Sequence, residues 1–257
     1  MMGGMAVAQN TGPRSCVIIQ ELNAARPFVR KGDACDTPLS PASTFKIPHA
    51  LVALELGVVA PDTVEKWDGT RYDRQLKWNQ DHTVISALKP SVLWFFQRIA
   101  PRIGAARMSE WLARFDYGNR NVTGPITEYW INGRLQISAA QQVGFLRKFF
   151  LGTLPVKPQH VAAVRKGLEQ RAGTQENALG VHVLNGEWSQ ALMTAKTGAT
   201  TTEKYRVSWL VGHLRARDRD YVFSSVVWQT SGTLDTLTAA RQAAAAFVDA
   251  KLLPPGR

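Results

Sequence analysis

The chain has 257 residues, enough for one sizeable domain or two interleaved subdomains around a good core. At 45% hydrophobic residues the composition is that of an ordinary globular protein, and no apolar run reaches the ~18 residues that span a bilayer, so no membrane span is expected. The net charge is +11, but the 31 Lys and Arg are scattered and form no basic 5–8-mer, which argues against a nucleic-acid partner while remaining compatible with a small anionic substrate.

The chain opens "MMGGMAVAQN". Ala6-Val7-Ala8 resembles the small-x-small end of an export signal, without the charged and long apolar regions such a signal needs. Residues 1–10 are therefore read as a signal remnant or an expression scar, and 11–257 as a single domain. Cys16 and Cys35 bracket a segment that reads as a hairpin: an apolar strand over 15–20, an Asn-containing turn, a second strand over 27–30. Two unrelated thiols are one reading. A bridge is the other; it would close a loop of about twenty residues and stabilise by roughly 3 kcal/mol. The hairpin and the export-like start favour the bridge, and with it a periplasmic or secreted home.

A helix is expected over 43–56, stopped by Gly57. From 58 to 186 the text turns helical and loop-rich, with apolar residues at helix spacing over 91–104, 105–115, 138–152 and 158–170, and with Ser91 and Ser138 placed as N-caps. Strand character returns over 191–198, 206–216 and 220–230, rich in Val, Trp, Phe and Thr, and a helix closes the chain over 235–253. The order predicts an α+β fold: one antiparallel sheet built from the two ends of the chain and flanked by N- and C-terminal helices, with a mostly helical lobe over about 58–186 inserted and a cleft between the two parts.

The chemistry starts with "SPASTFKIPHALVALELG" over 40–57. On a helix, Ser43 and Lys46 share a face one turn apart. A serine hydroxyl is a weak nucleophile until a base takes its proton, and a solvated lysine is already protonated. Burial among apolar neighbours such as Phe45, Ile47 and Leu51 would push the lysine pKa down and free the amine. The alternative is a surface lysine near a helix start, and S-x-x-K alone does not separate the two. Lys196-Thr197-Gly198 lies at the expected end of a strand before a turn, where it can offer a cation and a hydroxyl to a carboxylate and a glycine for close approach. Tyr117-Gly118-Asn119 between them reads as a turn.

Together with "SPASTFKIP", "KWDG" (66–69), "SVLWFFQRIA", "YW…LQIS" (129–138) and "VSWLVG" (207–212), these motifs make the chain similar to the class D, oxacillinase-type serine β-lactamases of the penicillin-recognising superfamily, over about residues 15–253. The resemblance implies a set of roles. Ser43 would be the acylated nucleophile. Lys46 would add carbon dioxide (supplied as bicarbonate) to become N6-carboxylysine, the general base. Trp130 would donate its indole N–H to that carbamate. Ser91, first residue of the S-x-V motif, would relay a proton to the β-lactam nitrogen, and Lys196 would tune that step electrostatically. Thr197 would contact the substrate carboxylate, with Gly198, Ala199 and Tyr117 around it, and the backbone N–H groups of Ser43 and Ala199 would form the oxyanion hole. Arg241 would grip the carboxylate, although the spacing upstream of it departs from the family. No metal is implied, and the five histidines match no catalytic position.

Two positions depart from the family pattern. Leu93 stands where a valine packs over the modified lysine, and Ala199 where many relatives carry a larger side chain. Neither removes a reacting group. The expected activity is β-lactam hydrolysis by a monomer or homodimer; the alternatives are a β-lactam sensor or a penicillin-binding domain that is acylated and deacylates slowly. Sensors carry Asn where Leu93 stands, and they hang from membrane spans.

Overall fold

The computed structural model describes residues 12–171, 173–184 and 191–254. Val17, Ile18 and Ile19 form a continuous apolar run inside Arg14–Glu21 (β1), which is buried on both faces and pairs antiparallel with Val29–Gly32 (β2). Cys16 and Cys35 are joined by a disulfide across the end of this hairpin. A 3-10 turn, Ala42–Phe45, leads into Lys46–Glu55 (α1), and Leu56 and Gly57 end it. The helical lobe follows: Val84–Leu88 (α2), Leu93–Ile103 (α3), Ala105–Phe115 (α4), Ala139–Leu151 (α5) and Pro158–Leu168 (α6). Glu169–Gln170 (β3), Thr174–Asn177 (β4) and Gly180–Val183 (β5) come next, then the long strands Leu192–Thr201 (β6), Arg206–Ala216 (β7) and Arg219–Gln229 (β8), and finally Thr238–Asp249 (α7).

The main sheet has six strands in the order β2-β1-β8-β7-β6-β3, all antiparallel, so both ends of the chain meet in it. Period-two alternation divides its side chains between two cores. Val17, Ile19, Leu210, Leu214 and Phe223 pack with Phe247 and the alanines of α7 on one face. Ile18, Trp209, Val211 and Val226 join the larger core on the other face, which includes α1, α3 and α5. No helix among the described residues is long and apolar enough to cross a membrane.

The structure differs from the sequence expectations in four places. The expected helix over 43–56 begins as a 3-10 turn, so Ser43 precedes the α-helix and Lys46 opens it. Ser91 does not cap α3: the cap is Val92, with no side-chain bond, and Ser91 sits at φ +60°. Ser138 does cap α5, in a reciprocal box with Gln141. Lys196-Thr197-Gly198 lies inside β6 rather than at its end, because pairing with β7 continues to Thr201, opposite Arg206. The turn comes after that, where the Thr202 hydroxyl accepts from the N–H groups of Lys204 and Tyr205. The end of the expected helical lobe contains three short strands; β3 extends the main sheet, and β4 and β5 form a hairpin of their own, turned by Asn177 and Gly180.

Candidate active site

The segment 40–44 is held from every side. Ser40 Oγ and the Ala42 N–H both donate to the Trp130 carbonyl, at 2.8 and 3.0 Å. The Trp209 indole donates to the Ser40 carbonyl at 2.9 Å, and the Ser40 N–H donates to Tyr205 Oη at 2.9 Å. Thr44 Oγ1 donates to the Pro41 carbonyl and accepts from Gln142 Nε2. These contacts fix Ala42 at φ +49°, a cost of about 1–3 kcal/mol that the surrounding bonds must offset. In a 3-10 turn residues i and i+3 eclipse, and here the eclipsed pair is Ser43 and Lys46: Nζ lies 2.8 Å from Oγ, in position to donate to it when charged and to accept from it when neutral.

Lys46 is completely buried. Its Nζ lies 5.4 Å from the centre of the Phe96 ring, and Phe96 together with Phe45, Trp130 and His49 makes up a cluster of touching rings. Burial drives its pKa well below the usual lysine value, and the positive charge of Lys196 adds to the effect. Among the described residues no carboxylate pairs with it. The Trp130 indole is also fully buried, and its Nε1–H has no hydrogen-bond partner.

A second lysine–serine pair faces the first. Lys196 Nζ donates to Ser91 Oγ and to the Thr197 carbonyl, both at 3.0 Å. Burial lowers Lys196 to about 7, and the Glu176 carboxylate opposes that shift. The left-handed backbone of Ser91 explains why this serine is not a cap: its hydroxyl goes to Lys196 instead. The lysine in turn comes from the strand that lies against the nucleophile's turn. A Cβ on Gly198 would fall 2.8 Å from the Pro41 carbonyl oxygen and 3.0 Å from Thr44 Cγ2, so only glycine lets β6 come this close. Thr197 is buried beside Lys196, and Ala199 is exposed where the strand continues.

The structure therefore brings Ser43, Lys46, Ser91, Trp130, Lys196 and Gly198 together. Leu93 is half-buried in the first turn of α3. Tyr117 is fully buried: it packs on Phe45 and Phe145 and accepts from Gln142, so it supports the nucleophile's turn from below rather than lining the cleft. Arg241 is exposed on α7 and ion-paired with Asp235 at 2.8 Å, with no described bond to the Ser43 cleft. Sequence reasoning missed the anchoring by Ser40, Gln142 and Tyr205. Ser40 and Trp209 lay inside the motifs "SPASTFKIP" and "VSWLVG", whereas Gln142 and Tyr205 carried no signal. No group of three or more His, Cys, Asp or Glu that could hold a metal occurs among the described residues.

Residues 5–249 match the family described as the penicillin binding protein transpeptidase domain. The chain is 35% identical over 209 residues to β-lactamase OXA-48 of Klebsiella pneumoniae, covering 81% of this chain and 73% of that protein. It is similar to the solved class D β-lactamase BAT-2 at 28% identity and TM-score 0.75, over 93% of this chain and 92% of that one. It is also similar to the C-terminal domain of the Bacillus licheniformis BlaR penicillin-receptor, at 25% identity and TM-score 0.77, over 95% of this chain and 92% of that one.

Proposed function

The chain belongs to the class D serine β-lactamases, and from that premise we propose that it hydrolyses β-lactams through an acyl-enzyme on Ser43, with Lys46 in its carbamate form as the general base. One observation carries this reading: a fully buried lysine, with no acidic partner among the described residues, stands 2.8 Å from the serine hydroxyl. Only an unprotonated amine can add carbon dioxide, and desolvation favours that state. The carbamate would supply an anionic base within reach of Ser43. An anion in a dry site needs donors, and the unpartnered Nε1–H of Trp130 fits that need.

The remaining roles follow from charge and reach. Ser91, bonded to Lys196, hands a proton to the β-lactam nitrogen as the ring opens, and Lys196 replenishes it. The Lys196 ammonium and the Thr197 hydroxyl attract the substrate carboxylate, and the N–H groups of Ser43 and Ala199 stabilise the oxyanion. Arg241 would join the carboxylate site by releasing Asp235. The Cys16–Cys35 disulfide supports a periplasmic or secreted location for a monomer or homodimer.

The likeness to the BlaR domain favours a second reading, a sensor that acylates and stalls. Intact-mass spectrometry after mixing with penicillin separates the two. Rapid return to the free mass with hydrolysed product is expected; a persistent adduct would overturn turnover in favour of sensing.

A further inference from the structure

The spacing that joins Ser43 to Lys46 repeats once more. His49 stands three residues after Lys46, one turn along α1. Its ring is completely buried, with ring centres 5.4 Å from Phe45, 5.3 Å from Phe96 and, edge-on, 5.4 Å from Trp130. Phe96 is also the ring over which Lys46 Nζ sits. Neither Nδ1 nor Nε2 of His49 has a hydrogen-bond partner, and neither does Nε1 of Trp130 beside it. The other four histidines are all engaged: His82 by Ser86 and the Lys77 carbonyl, His160 by Glu55, His182 by Asn177, His213 by Asp220. A buried ring with two idle nitrogens is a poor filler where phenylalanine would pack without losing hydration. Two idle donors in the ring cluster that packs on Lys46 call for a shared acceptor.

We propose that His49 is a positioning residue for the carbamate on Lys46, its neutral ring N–H donating to that group alongside the Trp130 indole. The inference rests on the carbamate reading above and deepens it. The charged groups that bear on this pocket are Lys46 on the same helix and, acting on Lys46, Lys196 from β6; no carboxylate is described against the ring. Burial lowers the His49 pKa to about 3, with the Lys46 charge adding to the shift. A neutral imidazole offers a donor without adding a charge to the site.

The test is uptake of 13C-bicarbonate by the full chain, read as the carbamate carbon signal by NMR across a bicarbonate titration. His49→Phe keeps the ring packing and removes the donor; its half-saturating bicarbonate concentration is expected to rise about tenfold, the order expected for one hydrogen bond to a charged group. His49→Asn restores an N–H and is expected to stay within about threefold of the wild type. Uptake by His49→Phe equal to wild type would overturn the proposal. Absence of a carbamate signal in the wild type would instead overturn the reading beneath it. Should the phenylalanine variant not fold, the 15N-histidine-labelled wild type decides: one ring N–H moves when bicarbonate is added if the proposal holds, and none moves if it fails.

Discussion

Two lysine–serine pairs meet in one cleft, and they are made in opposite ways. Lys46 and Ser43 are three residues apart within a single turn, whereas Lys196 and Ser91 are separated by 105 residues and tie the sheet to the helical lobe. Both lysines are buried, so desolvation pushes both toward the neutral form. Their neighbours then separate them. Lys46 faces rings and a second cation, and its pKa falls well below the lysine range. Lys196 feels the Glu176 carboxylate, which opposes the effect of burial and leaves its pKa at about 7. Burial sets the direction of both shifts, and neighbouring charge sets them apart, as the proposed roles require: one amine to react, one cation to bind and steer.

Lys46→Met attacks the reactive side of this comparison and should have the largest effect. Turnover of a chromogenic cephalosporin is expected to fall by about 10^4-fold or more, as when one member of a nucleophile–base unit is removed. Stability should move the other way. The folded-state pKa of Lys46 lies below its unfolded value, so between the two the unfolded chain binds more protons, and wild-type stability rises with pH until about 10.4. At any pH below about 10.4 the buried free amine lowers stability, and in bicarbonate-free buffer the variant is expected to melt several degrees higher. The gap should close as the pH approaches the unfolded value. An equal or lower Tm for the variant at pH 7 would mean that the folded lysine is not held neutral.

Lys196→Met strikes the steering side. Here kcat/KM is expected to drop about 10^2-fold or more. The shape of the pH profile is the sharper readout. In the wild type the acid limb is expected to report protonation of Lys46, and the alkaline limb loss of the Lys196 charge as pH rises through about 7. The variant should keep the first limb and lose the second. A retained alkaline limb would assign that fall to another group.

The two pairs were not equally legible in the sequence. Ser43 and Lys46 could be read because a three-residue spacing places side chains together by local geometry alone, whether the turn is α or 3-10. The Lys196 pair depends on contacts that no local pattern encodes. The text "KTG" is visible, and its glycine already reads as a point of close approach, but the triplet is expected at a strand end; that β6 runs on to Thr201 and that Gly198 lies against Pro41 and Thr44 emerge only in the folded chain. Locally Ser91 reads as a helix cap, a serine before an apolar run, and only the family resemblance places it with Lys196; in the folded chain the tertiary bond to Lys196 prevails over the cap. The strands over 169–183 were hidden because two to four residues are too few to show alternation after the helical pattern of α6.

The β4–β5 hairpin bears directly on the charge of Lys196. Glu176 on β4 is held at the side of Lys196 by a short relay: its N–H donates to Gln170 Oε1 at 3.0 Å, and Gln170 Nε2 donates to the carbonyl of Ala195, the residue before Lys196, at 3.1 Å. Its carboxylate also accepts from Lys77 at 2.6 Å. The carboxylate raises the Lys196 pKa against the desolvation that lowers it. Removing the charge with Glu176→Gln should therefore let the Lys196 pKa fall further, so the alkaline limb of kcat/KM moves to lower pH while the acid limb stays in place. The backbone bond to Gln170 survives the substitution, and kcat at the pH optimum should change by less than about threefold, because no reacting group is touched. A limb that stays put would show that Lys196 owes its charge to solvent or to Ser91 rather than to this carboxylate, and the contrast between the two lysines would then rest on burial alone.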